Sequence, residues 1–275
     1  MMDWLLLPLQ QGFMQRGLVA AVMVAIVCSL VGTYVVLRGM SFIGDAMAHA
    51  ILPGAAAAFL SGGNIFVGAF LAGLFVAFAI GLISRTARLR EDAAIGVVFV
   101  GAFALGVLLI STVRGYTVDL AHILFGNVLG VSPEDLILIA LVGGGVLLIL
   151  FALRKELLLL SFDPAHGSTL GLPMEALNYG FLVLLALTIV IAMRTVGNIL
   201  SVAMLITPAA TAYLLTDRLR RMLLIAAGVG TASALVGLYL SYYLNVASGA
   251  AIVVTATACF LIALLFSPRG GLLAR

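Results

Sequence analysis

Within Gly44-Asp45-Ala46-Met47-Ala48-His49-Ala50-Ile51-Leu52-Pro53-Gly54, an acid and an imidazole stand four residues apart in otherwise apolar sequence. On a helix this spacing sets both side chains on one face, one turn apart. Ionisable groups are costly in apolar surroundings, which points to a ligand or a pathway. A carboxylate and an imidazole are donors for a divalent cation, and oxygen with nitrogen suits manganese, iron(II) or zinc. Copper(I), by contrast, prefers thiolate and thioether sulfur. Such ions take about four to six donors, so one pair does not complete a site. A second copy of the chain across a two-fold axis would bring its own Asp45 and His49, making four donors whose charge nearly cancels that of the ion. The same side chains would serve equally as a hydrogen-bonded link inside a helix bundle, and both readings stay open on the residues alone. Pro53 follows His49 by four residues and has no N–H, so the His49 carbonyl loses its helical partner and a kink is predicted there.

The elements that must position this pair are set by composition. Of 275 residues, 64% are hydrophobic and 9% charged, with a mean hydropathy of +1.28. Ordinary soluble domains are about 45–50% apolar and about 25% charged, so this is an integral membrane protein. Long apolar runs broken by glycine, without alternating strands of barrel length, specify an all-α polytopic bundle. No stretch has room for a soluble domain of about 100 residues, so residues 1–275 form a single transmembrane domain. Cys28 and Cys259 lie inside apolar spans and lack metal or redox spacing. The net charge of +3 comes from loop arginines, with no basic patch interleaved with aromatics, which excludes nucleic acid as a partner. The first apolar run, Leu18 to Leu37, is long for a signal peptide and leads to Arg38 without a small-residue cleavage site.

Candidate spans cover Phe13–Leu37, Phe42–Ser61, Ile65–Ser84, Ala93–Ser111, Leu136–Leu153, Leu177–Met193, Val196–Leu215, Met222–Leu244 and Ala250–Phe266. Each approaches the roughly 20 residues needed to cross a bilayer. Arg85, Arg88 and Arg90, then Arg154 and Lys155, then Arg218, Arg220 and Arg221, and finally Arg269 and Arg275 all fall on one side, which the positive-inside bias makes cytoplasmic. If every span crosses, the N-terminus is outside and Asp45 enters the membrane from the cytoplasmic end. If Phe42–Ser61, short and broken by Gly and Pro, is re-entrant, eight spans cross and the N-terminus is inside. Thr207-Pro208 is predicted to interrupt the seventh span as Pro53 interrupts the second, with Pro208 freeing the Met204 carbonyl. Paired broken helices point to transport sites in membrane bundles. Between Ser161 and Pro173, Asp163-Pro164 reads as an N-cap followed by proline at the first helical position, and Gly171 as the stop. A short cytoplasmic helix is therefore expected, exposed to a docking partner.

The chain lacks a phosphate-binding Gly-x4-Gly-Lys-Ser/Thr loop, and Lys155, its only lysine, stands in no such context. Energy for transport must come from a gradient or from a separate ATPase. A gradient-driven divalent-metal carrier acting without an ATPase is the alternative reading, but such carriers thread further acids through their core, and here the spans hold almost none. An intramembrane hydrolase built on Ser41, Asp45 and His49 lacks a defined base-orienting group. His122, near Asp119, and His166 stand in connections and read as interfacial and solvated residues.

Six motifs, in order, make the chain similar along nearly its whole length to the permease subunits of the manganese/zinc/iron-chelate family of ATP-binding-cassette importers. They are Gly44-Asp45-Ala46-x2-His49-Ala50-x-Leu52-Pro53-Gly54; Glu91-Asp92-Ala93-Ala94-Ile95-Gly96 with Ala104-Leu105-Gly106-Val107; Leu124-Phe125-Gly126-Asn127; Phe162-Asp163 ahead of Gly171; Leu205-x-Thr207-Pro208-Ala209-Ala210-Thr211; and Leu240-Ser241-Tyr242 before Ser248-Gly249. The resemblance implies a homodimeric permease in the bacterial cytoplasmic (inner) membrane, with about eight to nine helices per subunit and a bundle related to cobalamin and siderophore importers. It also implies two cytoplasmic ATPase subunits, an extracytoplasmic metal-binding protein, and a transported manganese, zinc or iron ion with no permanently bound cofactor. By that similarity Asp45 and His49 of both subunits are the metal ligands, and Phe162, Asp163, Ala165 and Gly171 mark the coupling helix. Pro53, Thr207 and Pro208 support the pathway, and ATP hydrolysis resides in another subunit. Family members often carry Ser-Tyr ahead of Leu-Phe-Gly where this chain has Ala121-His122, so His122 is left out of the site.

Overall fold

A backbone inside lipid must satisfy its own N–H and C=O groups, which leaves helices as the way for each apolar run to cross. The computed structural model describes residues 7–86, 91–111 and 128–267, and it is helical without strands among them. In chain order the helices are α1 (Gly12–Leu37), α2 (Ile43–Ala50), α3 (Leu52–Leu60), α4 (Ile65–Thr86), α5 (Glu91–Ser111) and α6 (Pro133–Ala152). There follow α7 (Arg154–Phe162), α8 (Pro164–Thr169), α9 (Met174–Val196), α10 (Asn198–Leu215), α11 (Leu219–Leu244) and α12 (Ser248–Phe266). With α2 and α3 taken together, nine segments among the described residues are long and apolar enough to span a bilayer. Asp119, His122 and the Leu124-Phe125-Gly126-Asn127 motif lie outside the described residues.

The centre of the bundle is α1, which packs against α6, α9, α10 and α11 and buries residues around its whole circumference, including Ala20, Ala25, Val31, Tyr34 and Val35. Peripheral helices do the reverse. Val97, Val100 and Leu108 on α5 and Leu141 and Leu148 on α6 are largely exposed. A contiguous apolar exterior of this kind is incompatible with water and matches a lipid surround.

Whether residues 42–61 cross or turn back is decided by their neighbours. Phe42 meets Phe99 at 5.9 Å between ring centroids, His49 meets Phe103 at 5.7 Å, and Gly106 abuts Leu52. Advancing along α2 and α3 therefore means advancing along α5. Against α4 the order is reversed: Ile51 lies at Gly73, and Gly54 and Gly68 touch backbone to backbone, so that a Cβ on either would collide with the other. Lipid tails give helices no hydrophobic reason to associate, and small residues let two backbones pack this closely. The α2–α3 segment thus runs one way as a bent rod, which is what the nine-span reading expects and a hairpin is not. Arg38, just past α1, donates from Nη2 to Asn178 Oδ1 at 2.6 Å and covers the Phe181 ring at 5.1 Å. Both partners lie near the start of α9, so Arg38 shares the side of the arginine-bearing connections.

Two details differ from expectation. The connection between α6 and α9 holds α7 as well as the short helix, with a break at Leu153, because Leu157 and Leu160 bury against the bundle while Arg154 to Glu156 cannot remain in a span. The helix α10, moreover, runs unbroken through Pro208. Proline removes a single N–H there, and α10 is held by α1, α11 and α12 along its length, with the Leu205 backbone pressed onto Gly32. Thr207-Pro208 is therefore not a second helix break.

If all nine segments cross, Gly12 and Leu170 fall on opposite sides of the bilayer. In a chain with Cys28 and Cys259 replaced by alanine, a membrane-impermeant thiol reagent added outside intact cells should label Gly12→Cys but reach Leu170→Cys only after permeabilisation. Labelling of both from the same side would contradict the arrangement.

Candidate functional site

The helix α2 stops at Ala50, Ile51 links it to α3, and Pro53 occupies the first turn of α3. The break falls where a missing proline N–H predicts it, with the Ile51 N–H shared between the carbonyls of Met47 and His49. One turn before the break the i, i+4 spacing brings Asp45 and His49 together as expected. His49 Nδ1 lies 3.0 Å from the Asp45 carbonyl oxygen and 3.4 Å from Asp45 Oδ1. A carbonyl can only accept, so Nδ1 carries the proton and donates, which leaves the lone pair on Nε2. Nε2 is then the nitrogen able to ligate a metal, with the ring oriented by its other nitrogen.

Around the pair the walls are apolar, except at one point. Phe99 and Phe103 of α5 present their rings to the imidazole at 5.9 and 5.7 Å. Gly44 lies against Leu205 of α10. The exception is Asn198, the first residue of α10, whose Nδ2 stands 3.1 Å from His49 Nε2 and 3.4 Å from Nδ1. Gly197 ends α9 with φ 81° and ψ 172°, a conformation suited to glycine, and this single residue turns the chain so that Asn198 reaches His49. Asn198 and the two phenylalanines were not among the sequence candidates. A polar residue at the edge of a predicted span reads as a boundary, and phenylalanine in an apolar run carries no signal.

Asp45 and His49 are not sealed in. Their side chains are 41% and 25% exposed, whereas Ala46, Met47 and Ala48 on the rest of α2 are buried. Among the described residues no third His, Cys, Asp or Glu joins them. The pair thus stands open, with one carboxylate and one imidazole as its donors. Thr207 and Pro208 lie beyond Leu205, on the far side of Gly44 from His49, so α10 contributes Asn198 to this place and not its proline.

Phe162, Asp163, Ala165 and Gly171 gather at α8, far from the pair in sequence and on the arginine-bearing side. Asp163 caps the helix, its Oδ1 accepting the His166 N–H at 2.9 Å, Pro164 opens it, and Gly171 ends it with φ 76°. Phe162 and Leu170 are 67% and 61% exposed, and Ala165 is exposed between them. Beside Phe162 opens a cavity of about 530 Å³, lined in part by Lys155, Leu159, Tyr213 and Met222. Large apolar side chains held out on a capped polar helix form a surface suited to a protein partner.

Residues 10–267 match the ABC 3 transport family. The manganese transport system membrane protein MntC of Halalkalibacterium halodurans is 48% identical over 267 residues, covering 97% of this chain and 91% of that protein. A Haemophilus influenzae protein named "Probable iron transport system membrane protein" is 45% identical, covering 97% and 98%. Among solved structures, PsaBC from Streptococcus pneumoniae in complex with Fab aligns with a TM-score of 0.86 at 41% identity, over 98% of this chain and 96% of that one. A metal-chelate type ABC transporter in an inward-facing conformation shares the fold at a TM-score of 0.73 and 17% identity, over 91% and 85%.

The cap on α8 predicts a local effect. Asp163→Ala removes an N-cap contributing about 1 kcal/mol, so amide exchange across residues 165–169 should rise about fivefold with the rest of the bundle unchanged. Unaltered exchange would show that α8 is held by other contacts.

Proposed function

The chain belongs to the ABC 3 transport family, and from that premise we propose that it is the membrane subunit of an ATP-driven importer of a divalent transition-metal ion in the bacterial inner membrane. The observation that carries this is the Asp45–His49 pair. It is an acid and an imidazole on one face of a broken membrane helix, partly open, with the lone pair on Nε2 beside the Asn198 amide. Similarity to proteins named for manganese and iron transport supports manganese first and iron second as the ion. The donor chemistry by itself also accepts zinc.

Two copies of the chain meet in this reading at the face that exposes Asp45, and each contributes its pair to one ion. Alternating access then follows from relative movement of the two copies. A carboxylate and an imidazole from each side neutralise most of the ion's charge and replace its water, while the small number of donors leaves it free to depart, as conduction requires. Phe99 and Phe103 give the site dry walls. The chain has no nucleotide-binding loop, so two cytoplasmic ATPase subunits supply the energy, docking on α8 with Phe162 and Leu170 as apolar anchors. An extracytoplasmic metal-binding protein delivers the ion on the opposite side.

Substitution of either donor tests this directly. In cells dependent on this transporter, Asp45→Ala and His49→Ala should each lower manganese accumulation by about 100-fold, since even partners of ligands contribute about 10–100-fold. The complex should still assemble with its ATPase. Full uptake in both variants would overturn the assignment.

A further inference from the structure

Asn198 has one amide atom at the candidate site and the other without a partner. The residue is 2% exposed, and its Oδ1 is buried with no hydrogen bond. Buried amide oxygens are nearly always satisfied, and one that is not calls for a ligand, an ion or a mechanical reason. Its Nδ2 is almost equidistant from both nitrogens of His49, at 3.1 and 3.4 Å. The lone-pair axes of the two ring nitrogens diverge, so an atom placed in this way lies off both axes. The axis of Nε2 therefore remains open to an ion while the amide stands alongside it.

We infer that Asn198 is a further ligand of the transported ion, supplying its amide oxygen beside Asp45 and His49, and that it biases the site toward six-coordinate manganese(II) over four-coordinate zinc. This rests on the Asp45–His49 reading given above. Adjacent donors on an ion with bonds of about 2.0–2.2 Å stand about 3 Å apart, and the Asn198 amide holds that spacing from Nε2. A half-turn of the amide exchanges Nδ2 for Oδ1 at this position, so the oxygen that now lacks a partner becomes a donor. The backbone is fixed for the purpose. Gly197 delivers the residue, and the Asn198 carbonyl accepts the Ser201 hydroxyl at 2.7 Å. Each chain then offers two oxygens and one nitrogen, and two chains offer an oxygen-rich set of six. Carboxylate and carbonyl oxygens suit manganese, and zinc is served by four donors in a tetrahedron.

The test compares manganese and zinc uptake by the complete transporter in cells, per amount of chain inserted in the membrane. Asn198→Ala and the similarly sized Asn198→Leu remove the donor, and Asn198→Asp keeps an oxygen in the same place. Loss of the donor should reduce manganese uptake about tenfold and zinc uptake much less, so the manganese-to-zinc ratio falls. Asn198→Asp should hold the ratio near its original value. An unchanged ratio in the Ala and Leu variants, or an equal fall in all three, would overturn the inference while Asp45→Ala and His49→Ala still abolish uptake. Retained uptake in those two variants would overturn the underlying pair and the inference together.

Discussion

A carboxylate within an apolar bundle is costly unless something faces it, and almost everything else in this structure bears on how Asp45 is treated. Its neighbour His49 spends its one N–H on the Asp45 backbone carbonyl at 3.0 Å and only approaches the carboxylate, at 3.4 Å. Among the described residues, His49 is the basic group that faces the carboxylate. The carboxylate stays partly exposed on a helix whose other faces are buried. Burial of an unpaired charge would disfavour the fold strongly, and the partial exposure of Asp45 relieves that cost.

The architecture follows from this requirement. The break at Ile51 lets α2 tilt away from α3, so that Asp45 and His49 can face outward while Gly54 and Gly68 hold α3 tightly against α4. Gly197 turns the chain between α9 and α10 and sets Asn198 against the imidazole. At the end that carries Arg154 and Lys155, α7 packs on the bundle and α8 lies against α7 and the start of α9 as a capped surface helix. In the function proposed above, transport in such a frame is a rigid-body event between copies, with the donors at their seam.

Much of this was legible in the sequence because its causes are local or compositional. Apolar length marked nine candidate spans, the i, i+4 spacing placed Asp45 beside His49, and the Asp163-Pro164 cap with Gly171 located α8. Pro53 marked the true break, since a missing N–H acts on the turn that precedes it. Other features depend on neighbours that are remote in sequence. The direction of residues 42–61 is set by Phe99, Gly106 and Gly68, and no local property distinguishes a crossing from a hairpin in a segment rich in Gly and Pro. Pro208 carries the same local signal as Pro53, yet its helix is clasped on several sides and continues. Asn198 was missed because its role comes from a contact 149 positions away.

The central claim is that one chain holds half of a divalent-metal site. It is tested most directly by counting ions on the purified protein in lipid, with manganese(II) followed by its electron paramagnetic resonance. The account predicts saturation at about one ion for every two chains, with the bound signal lost in His49→Ala. About one ion per chain, or a bound signal unchanged in His49→Ala, would contradict it.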